Sequence, residues 1–352
     1  MNFEVDFLPV GTGSKGGDAA TLRVWDQTGQ YVFVIDGGTK DSGKALVSHI
    51  QQYYSTSTVN AVISTHPDGD HASGLTEVLE NMDVRALVMH KPWDHAENIR
   101  HLFENRGLTT LGLQRKAREE LEFVHELNKI AARKKVPVIE PFAGDIYLDG
   151  MIRVLGPSRE HYQNMLPHYR TLPEAAESPT PTLGHILTTA VHAVEEAVEW
   201  VAETMEIETL TDEGGHFSAE NSSSTVILFT LGTNKILFTG DADIDALMQA
   251  AACAASQGIA LNDLHLLDVP HHGSKRNVGP TVLNLIKAEK AHISAPPDSP
   301  KHPAKKVINA LIRRGSKVYT TQGKGVCYPS DGVTRPGWFA VEEMPFNASV
   351  EN

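Results

Sequence analysis

The chain has 352 residues, 41% of them hydrophobic, a formal net charge of -13 and two cysteines, Cys253 and Cys327. That length buries a large core, and two distant cysteines without C-x-x-C spacing exclude a disulfide-stapled or thiolate-zinc scaffold. The negative balance disfavours a broad grip on nucleic-acid backbone, and the lack of an apolar leader or of about 18 uninterrupted apolar residues points to a cytoplasmic protein that does not span a membrane.

In chain order, Phe3 to Val10, Thr21 to Trp25 and Tyr31 to Ile35 read as strands, the last ending at Asp36-Gly37-Gly38. A helix near Lys44 to Tyr53 and a strand at Val59 to Ile63 follow, then the run Thr65 to Gly74, THPDGDHASG. Val84 to Met89 continues the sheet, and His90, Trp93 and His95 sit after it, where they can line a pocket or pack. Helices are expected near His95 to Asn105 and over Leu113 to Lys134, before Pro137 and Pro141 break the pattern. The stretch Arg100 to Lys135 is rich in Arg and Lys, whereas Glu195 to Glu213 is acidic, and solvated helix faces are the ordinary reading of both.

Ile152 to Leu155 is a further strand, after which Pro167, Pro173, Pro179 and Pro181 punctuate an insertion at 158–215. Within it, Leu187, Val191, Val194, Val198, Val201 and Met205 recur at helical spacing, which predicts an amphipathic helix over 184–206. Its apolar stripe can dock on the body of the protein, a protein partner or a second copy in a homo-oligomer. Thr225 to Thr230 and Lys235 to Thr239 form a hairpin, followed by Gly240-Asp241 and a helix from Ile244 to Ala255. Leu264 to Val269 ends in Pro270-His271-His272-Gly273-Ser274; Ala291 to Ser294, a helix near Ala304 to Arg314 and Lys317 to Thr320 complete the chain's second half.

Thr65 to Gly74 packs His66, Asp68, Asp70 and His71 into six positions directly after a strand. Imidazoles and carboxylates at that spacing can hold two divalent metals at a strand end, with Gly69 letting the loop fold back. Asp241, His271-His272 and His302-Pro303 also follow strands, and strand ends on one sheet edge converge in space. Each has a plainer alternative: Asp241 a helix N-cap, His302 an exposed loop histidine, one of His271 and His272 a structural hydrogen-bonding group.

The order of these motifs resembles the metallo-β-lactamase superfamily, and more narrowly the hydrolase domain of ComEC-type DNA-uptake proteins and their soluble relatives. HxHxDH is similar to His66-x-Asp68-x-Asp70-His71, and Gly17-Asp18-Ala19, Asn221 to Leu228, Phe238 to Asp241, Val269 to Ser274 and His302-Pro303 resemble the further motifs, covering residues 1 to about 330. The resemblance implies one α/β domain over 1–352, a four-layer αββα sandwich of two mixed β-sheets flanked by helices. It also implies two divalent ions, Zn2+ or Mn2+, one held by His66 and Asp68, the other by Asp70, His71 and His302, with Asp241 bridging. One departure stands out: where the superfamily has a further histidine, this chain offers Asn221, or His216 out of register.

The expected activity is hydrolysis by a metal-bridged hydroxide oriented by Asp70, with His272 or His271 protonating the leaving oxygen and Asn221, Ser274 and Lys275 contacting substrate. A phosphodiesterase or nuclease acting on DNA or nucleotides is the leading reading. A hydrolase of a small lactone, lactam or thioester, and a non-catalytic binding module of the same fold, are the alternatives.

Overall fold

In the computed structural model of the chain, the described residues are 1–13, 15–105, 107–173, 200–213, 218–338 and 340–351. Gln30–Gly37 shows how the layers arise: Val32 and Val34 point to one apolar cluster, Phe33 and Ile35 to another. A strand buried on both faces reads as an unbroken apolar run, as YVFVI does.

Two seven-stranded mixed sheets stack on each other. The first runs in the order Val326–Pro329, Asn2–Phe7, Ala19–Trp25, Gln30–Gly37, Ala61–Ile63, Leu87–Val88, Val138–Ile139, antiparallel through Gln30–Gly37 and parallel beyond it. The second runs Lys317–Thr320, Ala288–Ile293, Leu264–Asp268, Asn234–Phe238, Val226–Leu231, Ile152–Gly156, Ile146–Tyr147, parallel over its first four strands. Phe3, Phe7, Phe33, Phe229, Phe238 and Leu266 fill the space between the sheets. Each such side chain contributes about 1.5–3 kcal/mol when fully removed from water.

Helices cover both outer faces. Lys40–His49, Leu75–Asn81 and Glu122–Lys134 pack Leu46, Val78, Leu79 and Leu127 against the first sheet; Ile244–Ser256 and Lys305–Arg313 pack Leu247, Ala250, Val307 and Leu311 against the second. The result is the expected αββα sandwich. Among the described residues no helix is long and apolar enough to cross a membrane.

Several local expectations need correction. Leu113 to Lys134 is two helices, Thr110–Glu120 and Glu122–Lys134, because Leu121 leaves helical geometry at φ -99, ψ 57. Val84 to Met89 is likewise split: Asp83–Val84 pairs with Thr58–Val59 in a small separate sheet, and only Leu87–Val88 joins the large one.

The helix expected over 184–206 does not reach its predicted end. Trp200–Ala202 is a strand, Val201 paired with the buried Val350 of Ser349–Glu351. The Glu203 carboxylate is buried and accepts from Asn309 Nδ2 at 2.7 Å and Arg313 Nη2 at 2.9 Å, so it belongs to no solvated helix face. Tertiary pairing overrides the helical spacing there. The remainder of that stretch, 184–199, lies outside the described residues, as does His216.

The start of the 158–215 segment is built into the body. Arg159–Met165 is a helix capped by Ser158, and Tyr162, Leu166, Tyr169 and Leu172 join the core of the first helix layer.

Candidate metal centre

Five strands deliver the site, and all five end on the same edge of the sandwich. Gln30–Gly37 ends with Asp36, Ala61–Ile63 leads to His66, Asn234–Phe238 to Asp241, Leu264–Asp268 to His271 and His272, and Ala288–Ile293 to His302. A backbone bond stitches the two sheets together here, Thr225 N–H donating to Thr65 O at 2.9 Å, and within the second sheet's edge His271 N–H donates to Gly240 O at 3.1 Å. Gly240 has φ 51, and a Cβ on it would fall 2.7 Å from Thr65 Oγ1, so glycine is required both for its conformation and for the approach of the sheets.

Asp36 organises the first half. It accepts from Thr65 N–H at 2.8 Å, Thr65 Oγ1 at 2.6 Å and His71 Nδ1 at 2.9 Å. That fixes the His71 proton on Nδ1 and aims Nε2 at Asp241 Oδ1, 3.4 Å away. His66 repeats the pattern: Nδ1 is 3.0 Å from Thr65 Oγ1, and Nε2 is 3.8 Å from Asp241 Oδ2.

Asn221 and His271 complete the surroundings of Asp241. Asn221 Nδ2 donates to Asp241 Oδ2 at 3.1 Å and lies 3.3 Å from His271 Nδ1, while His271 Nε2 is 3.8 Å from Asp241 Oδ2. The Asp241 backbone is held too, its N–H donating to Ser224 Oγ and its carbonyl accepting from the buried Asn277.

His66 Nε2, His71 Nε2 and Asp241 Oδ1 are buried and have no hydrogen-bond partner among the described residues. Unpaired buried polar atoms are costly, and three converging on one space suit a cation. The 3.4 Å between His71 Nε2 and Asp241 Oδ1 agrees, since two ligands about 2.05 Å from a tetrahedral ion lie about 3.3 Å apart. Ligand atoms of Asp70, His71 and His272 also lie within 4.8 Å of one another, as do those of Asp18, His71 and Asp241, and of Asp36, His66 and His71. The donor set therefore fits divalent metal.

Electrostatics follow from this crowding. Burial works against the charge on Asp241, but His71, His271 and His66 hold its carboxyl far below the usual range. For His272 burial is again the largest influence, outweighed by Asp18 with Oδ1 3.5 Å from its Nδ1, so the imidazole is lifted to about 9. His302 goes the other way: burial and then His272 and His271 lower it to about 4. Asp268, buried among Asp18 and Asp36, is pushed well up.

The sequence-predicted residues do not all meet. His66, Asp70, His71, Asp241, Asn221, His271 and His272 share the cluster, and the His302 ring lies at its rim, 5.9 Å from the His271 ring and 6.2 Å from that of His272. Asp68 turns away to Arg170, 2.9 Å from Nη2. Ser274 is buried and accepts from Arg276 N–H at 3.3 Å; Lys275 follows it in the same loop. Gly69 opens the short helix Gly69–Ala72 without a left-handed φ, so it does not serve as the flexible joint expected. Of the residues after Leu87–Val88, Trp93 is core, His95 binds Glu140 Oε1 at 3.0 Å, and His90 lines a small enclosed cavity with His66 and Tyr162.

Asp18, Asp36 and Asp268 are site residues that motif reading left without a role. The carboxylate before Gly37-Gly38 at a strand end was the available signal for Asp36.

Residues 19–157 match the family described as the metallo-β-lactamase superfamily. Over those residues the chain is similar to the metallo-β-lactamase superfamily. The chain is also similar to Recombination protein 2 of Haemophilus influenzae, 30% identical over 128 residues, which is 36% of this chain and 15% of that protein. Among solved structures, the metallo-β-lactamase fold protein YhfI from Bacillus subtilis aligns with 10% identity and a TM-score of 0.45, covering 94% of this chain and 100% of that one. A diphosphatase of the PhnP family aligns with 10% identity and a TM-score of 0.40, covering 94% and 99%. Divalent metal binding is typical of the superfamily, and its members are usually hydrolases.

Proposed function

We propose that this protein is a metal-dependent phosphodiesterase or nuclease acting on DNA or nucleotides in the cytoplasm. The observation that carries the reading is the convergence of His66 Nε2, His71 Nε2 and Asp241 Oδ1, all buried and unpartnered, at one sandwich edge.

His66, Asp70, His71 and Asp241 would hold two divalent ions, Zn2+ or Mn2+, with His302 closing one side and Asp68 recruited if it leaves Arg170. Bound ions of this kind acidify water and neutralise charge building on the attacked centre. Asp36 and Thr65 keep the two imidazoles in the ligating tautomer. Asp70 orients the attacking water. His272, with Nδ1 3.5 Å from Asp18 Oδ1, donates a proton to the departing oxygen. Asn221 restrains Asp241 and His271, and Ser274 and Lys275 lie in the loop that meets the phosphate oxygens.

Cationic groups at His272, Lys275 and Arg276 favour an anionic substrate over a neutral lactone. The similarity to a protein named for recombination is in keeping with nucleic acid. Two free thiols fit a reducing compartment. The test is metal analysis of protein purified without chelator, combined with turnover of single-stranded DNA, duplex DNA, cyclic nucleotides and lactones. Bound transition metal with phosphodiester cleavage is expected. Lactone hydrolysis with inert diesters would replace the reading, and metal-free, inactive protein would indicate a binding module.

A further inference from the structure

Two side chains outside that chemistry sit on consecutive residues of the ligand loop. Arg170 Nη2 donates to both oxygens of Asp68, at 3.2 and 2.9 Å, and Nε lies 3.4 Å from Glu220 Oε2. The Arg170 backbone N–H donates to Glu220 Oε1 at 2.8 Å. Glu220 is buried and immediately precedes Asn221, which touches Asp241 and His271. The guanidinium is thus bracketed by two segments that both supply the cluster.

Yet the Arg170 side chain is 61% exposed. Neutralising the buried Glu220 accounts for one contact, but the pair with the half-buried Asp68 adds little stability, so a stabilising role alone leaves that second carboxylate unexplained. What Asp68 and Glu220 do accomplish is to fix the plane of the fork. A planar fork, pre-oriented at a site mouth, is the group that matches phosphate oxygens.

One residue along, Gly69 lies against Phe123 of Glu122–Lys134: a Cβ at Gly69 would come within 2.6 Å of the ring. That ring is 37% exposed, an aromatic surface left open to water beside the loop that carries Asp70. Asp68 and Gly69 are consecutive, so guanidinium and ring flank the same turn of the ligand loop.

We propose that Arg170 and Phe123 position one nucleotide unit of the substrate, the guanidinium on a phosphate oxygen and the ring against the base. The assignment rests on the phosphodiesterase reading and narrows its substrate to a diester bearing a nucleobase. Loss of a stacked base or of a charged hydrogen bond each weakens binding by about tenfold or more.

The experiment compares thymidine 5'-(p-nitrophenyl phosphate) with methyl p-nitrophenyl phosphate, using the as-isolated protein and its Arg170→Gln, Arg170→Lys and Phe123→Leu variants. Arg170→Gln should raise KM for both diesters about tenfold with kcat much less changed, and Arg170→Lys should recover part of the loss. Phe123→Leu should lower kcat/KM for the nucleoside diester about tenfold more than for the methyl diester. A fall in kcat with KM unmoved, or equal losses on both diesters for Phe123→Leu, would overturn the assignment, because a merely structural role gives that pattern. If the parent cleaves neither diester, the phosphodiesterase reading fails separately, and the pair is judged by fluorescence anisotropy with a labelled phosphorothioate hexathymidylate. Weakening of about tenfold in either variant supports the pair; no parental binding, or binding that neither substitution alters, refutes it.

Discussion

Asp36 and His71, 35 residues apart, meet through a 2.9 Å hydrogen bond between a buried carboxylate and Nδ1 of a buried imidazole. The bond decides which nitrogen His71 presents to Asp241. Asp36→Asn tolerates the left-handed backbone at this position, φ 54, and keeps the shape, but exchanges the carboxylate for an amide. We expect the variant to fold and to bind metal 10 to 100-fold more weakly, the range for loss of such an outer partner. Titration with Zn2+ or Mn2+ against a competing chelator measures it; unchanged affinity would remove Asp36 from the site.

Asp241 is the carboxylate that faces Nε2 of both His66 and His71. Its replacement by alanine should abolish turnover of a model phosphodiester, and chelation of the parent should do the same, reversed by added divalent metal. A variant as fast as the parent would show that Asp241 holds no catalytic ion.

His272 as proton donor makes a prediction that depends on the leaving group. His272→Gln should slow cleavage of a dinucleotide, whose departing alkoxide needs a proton, by roughly 100-fold or more, and affect a p-nitrophenyl diester far less. Metal content should stay at the parental level. Equal losses on both substrates together with lost metal would make His272 a ligand instead.

His90 and His292 link stability to pH. Burial holds both at about 3, with His90 stacked on Tyr162 at 4.2 Å and His292 on Phe7 at 3.7 Å. The unfolded chain protonates each near 6.5, so below that pH it binds more protons than the folded state. Stability is therefore complete above pH 6.5 and falls as the pH drops toward 3. Between pH 7 and pH 5 each histidine should cost roughly 2 kcal/mol. Urea unfolding at the two pH values should show a shallower fall for His292→Gln; an identical fall would place the effect elsewhere.

Arg335 anchors the segment after Val326–Pro329. It pairs with Asp6 at 2.6 and 2.8 Å and with Glu4 at 2.8 Å, all largely buried, and with His49 it keeps the Asp6 carboxyl at about 2 against the opposing effect of burial. Arg335→Ala should destabilise the fold by about 3–5 kcal/mol by leaving buried carboxylates unpaired. Denaturant melting reads this directly, and a loss below about 1 kcal/mol would mean that water replaces the guanidinium.

Much of the architecture was legible in the chain because strands buried on both faces leave unbroken apolar runs and because His66 to His71 is compact. Tyr31 to Ile35 and the hairpin either side of Gly232 are read correctly for that reason. Trp200 to Met205 misleads, since its spacing satisfies a helix while Val201 is claimed by a strand near the other end of the described chain. The break at Leu121 is hidden similarly: nothing in residues 113–134 records that Glu122–Lys134 must turn to bring Phe123 onto Gly69.

The amino-acid order by itself determined which residues could ligate metal and which runs would be strands, because ligand chemistry and apolar periodicity are local. Tertiary structure alone decided that Asp36 rather than Asp68 stands behind the histidines, and that Arg170 holds Asp68 aside. Those choices depend on directions and distances between strand ends brought together by packing two sheets, which no local pattern encodes.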